Sequence, residues 1–164
     1  GRFSWQKSIP TLISAWKDIQ KKNTDWVLVL IGNGDINSLI EGVENVKVIR
    51  YLQPNELFDE VKKSGCFIVP SHWEPWGVVV HEFGLAGLPL ILSNKVGARS
   101  TFLIDNYNGY TFKSKNNKSL QDAMLKIMNS SDKSLLKMGK NSHKISSKIT
   151  SDLSAVSLLS CLDK

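Results

Sequence analysis

Glu74 and Glu82 lie within Pro70-Ser-His-Trp-Glu-Pro-Trp-Gly-Val-Val-Val-His-Glu-Phe-Gly-Leu-Ala-Gly-Leu-Pro-Leu-Ile-Leu92, with seven residues between them. Cys66–Pro70 reads as a buried strand, and the loop after it carries Glu74 to the edge of a sheet. Gly77–Gly87 reads as a helix, stopped by Gly87 and Pro89. Because Val78, Val79, Val80, Phe83 and Leu85 make that helix apolar nearly all round, it is expected to be largely buried, with Glu82 in its middle. A buried carboxylate needs a partner, since stripping it of water costs several kcal/mol. Two partners remain open, an internal Lys or Arg, or the hydroxyls of a ligand. Vicinal ribose hydroxyls would offer two donors to its two oxygens. Free backbone N–H groups and positive dipole character at Gly77–Val79 would attract an anion. Gly77 would let a ligand come close to the backbone.

The elements that must position these groups follow from apolar patterning. Five short β-rich runs, Trp26–Ile31, Val46–Tyr51, Cys66–Pro70, Leu90–Leu92 and Gly109–Phe112, alternate with helical patterns at Ser8–Lys21, Asn55–Lys63, Gly77–Gly87 and Ala98–Asp105. Strands separated by helices predict βαβ units and a parallel sheet covered on both faces. Val27–Ile31 is apolar throughout, as such a strand should be. Three further helices are predicted at Ser119–Met128, Lys133–Ile149 and Ser151–Leu162. The expected fold class is therefore α/β, a Rossmann-like doubly wound parallel sheet, in one domain spanning residues 1–164. Ligands in such sheets bind beyond the carboxyl ends of the strands. The loops to watch are Gly32–Asp35, Leu52–Pro54, Ser71–Trp76 and Ser93–Gly97.

Composition narrows the class. Hydrophobic content of 41% and charged content of 22% are those of an ordinary globular chain. Cys66 and Cys161 belong to no metal-type spacing, and Cys66, inside an apolar run, reads as a reduced, buried thiol, which fits a cytoplasmic setting. Nine lysines between Lys113 and Lys148 face only Asp122 and Asp132. That excess reads as solvated helix faces, or as attraction to an anionic membrane surface or a phosphorylated ligand. Nucleic acid is not expected as a partner, because no aromatics are interleaved with these lysines. No Asp-x-Asp metal motif occurs. His81 reads as a packing residue, His143 as exposed among lysines, and His72 as a loop residue within reach of a substrate. Trp73 and Trp76 either stack on a ligand or close the core, and Asn33 and Ser93 are read as rim contacts.

The glutamate pair resembles the E-x7-E signature of retaining glycosyltransferases with the GT-B fold, family 4 especially. Ser71–Gly77 resembles that family's "S-x-x-E-x-(F/W)-G", and Glu82–Ile91 its "E-A-M-A-x-G-x-P-V-I" at identical length. Gly97–Phe112 echoes "G-G-x-x-E-x-(V/I)-x-x-G-x-N-G-x-x-(F/V)" in register, through Asn108-Gly109. Gly1-Arg2 followed by Lys7 is similar to "G-R-(L/F)…K-G", and Gly32-Asn33-Gly34 to a "G-x-G" turn. The sequence departs from the family at Phe83-Gly84, Ala98 and Thr101.

The resemblance implies that Arg2 and Lys7 hold a donor diphosphate, and that Glu82 binds the ribose. It also implies that Glu74 meets the transferring sugar near its reacting carbon. Backbone N–H groups of Gly77, Val78 and Val79 would contact sugar and phosphate oxygens. Gly32 and Asn33 would form the turn beside the nucleotide, and Tyr51 and Leu52 would border the base. It implies a UDP-, GDP- or ADP-sugar as donor, no separate cofactor and no metal, and hexosyl transfer with retention to a glycan or lipid-linked acceptor. That acceptor would sit on an N-terminal domain not included in this chain, which starts at Gly1-Arg2 without the strand that normally precedes them. A cytoplasmic protein, with peripheral membrane contact as a further option, is the expected setting. Two rivals share the nucleotide pocket, a nucleotide-sugar epimerase and a non-catalytic binding module. The second glutamate at this spacing disfavours the epimerase.

Overall fold

A computed structural model of the chain describes residues 1–21 and 25–150. A 3-10 turn, Trp5–Lys7, leads into α1 (Ile9–Gln20), followed by β1 (Leu28–Ile31), α2 (Asn37–Ile40), β2 (Val46–Ile49), α3 (Pro54–Lys62) and β3 (Phe67–Val69). The second half runs α4 (Val78–Leu85), β4 (Leu90–Ser93), α5 (Arg99–Phe102), β5 (Gly109–Phe112), α6 (Asn117–Met128) and α7 (Asp132–Ser146). All five strands expected from the sequence are present and parallel. The helix expected at Ser151–Leu162 lies outside the described residues.

The strands form two ladders, β1–β2 and β3–β4–β5. The free edge of β1 is taken up at its carboxyl end by the first residues of the chain. The Gly1 nitrogen donates to the Ile31 carbonyl at 2.6 Å, Asn33 N–H to Gly1 at 3.2 Å, and Phe3 N–H to Asn33 at 2.6 Å.

Layering follows from the side-chain alternation of β4, which is buried along its whole length. Ile91 points into one core with Leu28, Leu30 and Phe112, beneath α1 (Leu12, Ile13, Trp16, Ile19) and α6 (Leu120, Met124, Ile127). Leu90 and Leu92 point into the other with Val69, Val80, Val96, Phe102 and Leu103. Helices therefore cover both faces, and the doubly wound α/β reading stands. Helix starts are chemically marked. Asn116 and Ser131 accept from Ser119 N–H and Ser134 N–H at 2.8 and 3.3 Å, and the Glu56 carboxylate takes the Gln53 N–H at 2.7 Å.

Close backbone approach joins α4 to α7. A Cβ on Gly139 would stand 2.1 Å from the Gly87 carbonyl oxygen, and one on Gly84 2.2 Å from the Ser146 hydroxyl. Across the same seam His81 Nε2 lies 3.0 Å from the Ser146 carbonyl, and its ring stacks on Phe102 at 4.8 Å. His81 is thus a packing residue, as expected. His143 is exposed, as expected, although its Nδ1 lies 2.6 Å from the Leu85 carbonyl at the end of α4.

The expectation that α4 is largely buried is corrected. Only Val80 and Gly84 are buried; Val78, Val79, Glu82 and Leu85 are exposed on one side of the helix. The apolar composition all round carries almost no directional signal, so it could not tell which side meets the protein.

Candidate functional site

The loops after the strands converge as the topology requires. The Gly1–Phe3 segment lies along Ile31–Asn33, with Arg2 and Asn33 paired in register. Gly32 has φ +155°, and a Cβ there would stand 1.6 Å from the Gly1 carbonyl oxygen. The turn is glycine because two backbones touch at that point. One strand further out, Gly32 N–H donates to Ile49 at 2.9 Å, which sets exposed Tyr51 and half-buried Leu52 beyond the end of β2.

The Ser71–Trp76 loop is tied on two sides. His72 N–H donates to the Gln6 carbonyl at 3.1 Å, which anchors it to the Trp5–Lys7 turn. Glu74 N–H donates to Lys95 at 3.3 Å, and Gly97 N–H to Glu74 at 2.9 Å, which anchors it to the loop after β4. The result is a contact across 67 positions of sequence, an ion pair between Lys7 Nζ and the Glu74 carboxylate. The Glu74 side chain is 15% exposed and that of Lys7 38%, so the pair sits in a recess open to one side.

Gly77 caps α4 in the left-handed region at φ +92°, and a Cβ on it would come 3.1 Å from Glu74 Cγ. The start of α4 therefore abuts the carboxylate. The N–H groups of Val78 and Val79 precede the first intrahelical bond and point to the open end. Glu82 lies about 7 Å further along the axis. It is exposed, and no ion pair or hydrogen bond holds its carboxylate among the described residues. The internal Lys or Arg partner is thereby removed as an option, and so is the burial that made a partner necessary. Arg2 is exposed too, with its guanidinium unpaired among the described residues.

Ser93 is corrected. It is fully buried, its hydroxyl donates to the Ser71 carbonyl, and it steadies the loop from within instead of lining a rim. Asn33 is exposed, as a rim residue should be. Trp73 and Trp76 are both exposed, Trp76 with its edge toward Phe102 at 6.2 Å. Asn108 acts structurally, donating to the Phe102 carbonyl at 2.8 Å and to the Ser142 hydroxyl at 3.1 Å. Cys66 is free, and burial pushes its thiol far above the ordinary range, so it is inert.

One recess was not foreseen. A cleft of about 310 Å³ is lined by Trp5, Ser8, Pro10, Thr11, His72 and Lys115. Trp5 stands edge-on to His72 at 3.9 Å, and neither enclosed ring nitrogen of His72 has a partner among the described residues. Desolvation first, and the Lys115 charge second, hold the His72 pKa below its ordinary value. Of these residues, only His72 stands out in the sequence as a candidate for substrate contact. Trp5 and Lys115 are brought to it by folding from 67 positions before and 43 after.

This is a parallel α/β domain with a cation–carboxylate pair at the carboxyl ends of its strands and an open helix N-terminus beside it. The profile of the family described as Glycosyl transferases group 1 matches residues 1–145, and the chain belongs to that family. It is 28% identical to the glycogen synthase of Mycobacterium tuberculosis (strain CDC 1551 / Oshkosh) over 116 residues, covering 66% of this chain and 28% of that protein. The chain thus spans under a third of that relative's length. Among solved structures it is similar to the C-terminal domain of a glycosyl transferase group 1 family protein (LpcC) from Francisella tularensis. The TM-score is 0.75 at 22% identity, over 90% of this chain and 82% of that one. It is also similar to S. aureus TarM, solved in complex with UDP, with a TM-score of 0.85 at 21% identity over 96% of this chain and 33% of that one. These likenesses agree with the C-terminal, Rossmann-like half of a GT-B fold.

Proposed function

We propose that this chain is the donor-binding half of a retaining glycosyltransferase of the E-x7-E type. It takes a nucleoside-diphosphate sugar and works with an acceptor domain to pass a hexosyl group to a glycan or lipid-linked acceptor without a metal. The Lys7–Glu74 pair set against the open start of α4 carries this reading. Departure of a nucleoside diphosphate builds negative charge, which fixed cations and free N–H groups can stabilise by several kcal/mol. Lys7, Arg2 and the Val78 and Val79 N–H groups are of that kind. Glu74, beside them, is suited to the positive charge that develops on the anomeric carbon. Glu82, free on the open side of α4, is available to two ribose hydroxyls, with Tyr51 and Leu52 toward the base. The UDP in the TarM complex supports a nucleotide donor. On this reading the protein works in the cytoplasm, with peripheral membrane contact where the acceptor is lipid-linked.

Calorimetric titration with UDP, GDP and ADP, first without metal and then with magnesium, tests the reading. One nucleoside diphosphate is expected to bind equally well in both conditions. Absence of binding to all three, or binding that requires magnesium, would overturn it.

A further inference from the structure

Away from these loops, α7 carries a row of lysines. Lys133, Lys137, Lys140 and Lys144, with Lys148 just past the end of the helix, follow one another by four, three, four and four residues. Those steps keep them on one side of a helix over about 22 Å. All five are exposed, and none has an ion pair or hydrogen bond among the described residues. The opposite side of α7 buries Gly139, Ser142 and Ser146 toward α4, so the row faces straight out. Leu136 lies at its margin, 67% exposed.

On and beside the other long helices several lysines have acidic partners, although Lys17 on α1 has none among the described residues. Lys21 pairs with Asp18 at the end of α1, Lys62 and Lys63 with Asp59 and Glu60 at the end of α3, and Lys118 with Asp122 on α6. On α7 the single acidic residue is Asp132 at its start, and every successive pair in the row is a like-charge neighbour, an arrangement that destabilises a helix.

We propose that the lysine face of α7 is the surface by which this protein docks on an anionic lipid bilayer, the helix lying parallel to it and Leu136 entering the headgroup layer. A straight row on the outside of a helix can bring all its charges to a plane at once, and a bilayer is such a plane. Lysine stems suit it, because their methylenes lie along the interface while the ammonium groups stay wet. A nucleic acid would be met by aromatic stacking platforms or arginine forks, and this face has neither. No helix of the described residues is long and apolar enough to cross a membrane, so the contact is a peripheral one. The proposal does not depend on the donor reading.

Co-sedimentation of the purified protein with lipid vesicles tests it, with no nucleotide present. Binding is expected to vesicles of phosphatidylcholine mixed with phosphatidylglycerol, not to phosphatidylcholine alone, and to fade with added salt. Lys137→Gln/Lys140→Gln/Lys144→Gln should weaken it by at least about tenfold, each lysine near an anionic surface contributing several-fold. The matching Lys→Arg triple variant should bind like the parent. Lys21→Gln/Lys62→Gln/Lys63→Gln, which loses the same charge elsewhere, should bind nearly as well as the parent. Equal weakening in both glutamine variants would overturn the proposal, since net charge would then suffice. It would fall equally if the parent ignored anionic vesicles, or if a single-stranded RNA displaced them from it.

Discussion

Two residues with unusual surroundings yield predictions at the residue scale. Glu82 has no partner among the described residues and faces outward, so its replacement should leave the fold untouched and act on ligand alone. Glu82→Ala is expected to weaken nucleoside-diphosphate binding about tenfold, or ~1.4 kcal/mol, with an unchanged melting temperature. Unchanged affinity would remove it from the ribose. His72 carries the pH dependence. With its pKa held down by burial and by Lys115, the folded protein prefers the neutral ring, whereas the unfolded chain takes up a proton near pH 6.5. Below that point the unfolded state binds more protons, so the His72 share of stability is lost as pH drops through the window under about 6.5 and is complete above it. His72→Gln should flatten this step in urea midpoints measured from about pH 5 to 8. A step of the same size in the variant would assign it to another group.

At the scale of elements, the seam between α4 and α7 is a close backbone contact that no functional residue requires. The Gly139 Cβ position is blocked by backbone, and no rotamer change can relieve that. Gly139→Ala should therefore force the helices apart and lower stability by about 1–3 kcal/mol despite alanine's better helix propensity. An unchanged urea midpoint would show the seam to be loose. The sequence could not disclose such a seam, because glycine inside a helix gives no sign of what it touches. The strands were legible, since apolar runs of β-branched residues bounded by Gly, Pro and Asn mark them locally. Glu74 and Lys7 were marked as candidates through resemblance. Their ion pair was not, because it depends on His72 N–H reaching Gln6 across the sheet edge. The open side of α4 was misread for want of polar residues to mark it, and Glu82 with it. The division into two ladders was hidden for a related reason, as strand pairing is non-local.

At the scale of the whole molecule, the site has one wall. Val78, Val79, Glu82 and Leu85 stand exposed together on α4, with Trp73 and Trp76 exposed in the loop that leads into it. Apolar side chains exposed together beside a polar recess suit the docking of the proposed acceptor domain. In the proposed donor complex, a carboxylate as exposed as Glu82 would meet ribose hydroxyls in competition with water. A leaving diphosphate at an open helix end likewise shares its charge with solvent, where electrostatic stabilisation is weakest. The proposed acceptor domain would cover this side, exclude water and strengthen each of these contacts at once. The chain by itself should therefore bind its nucleoside diphosphate yet transfer no sugar. In a radiolabelled-donor assay, turnover should appear only when an acceptor domain is joined to residue 1. Transfer by the isolated chain would mean that the catalytic surface is complete here, and that the exposed face of α4 has another partner.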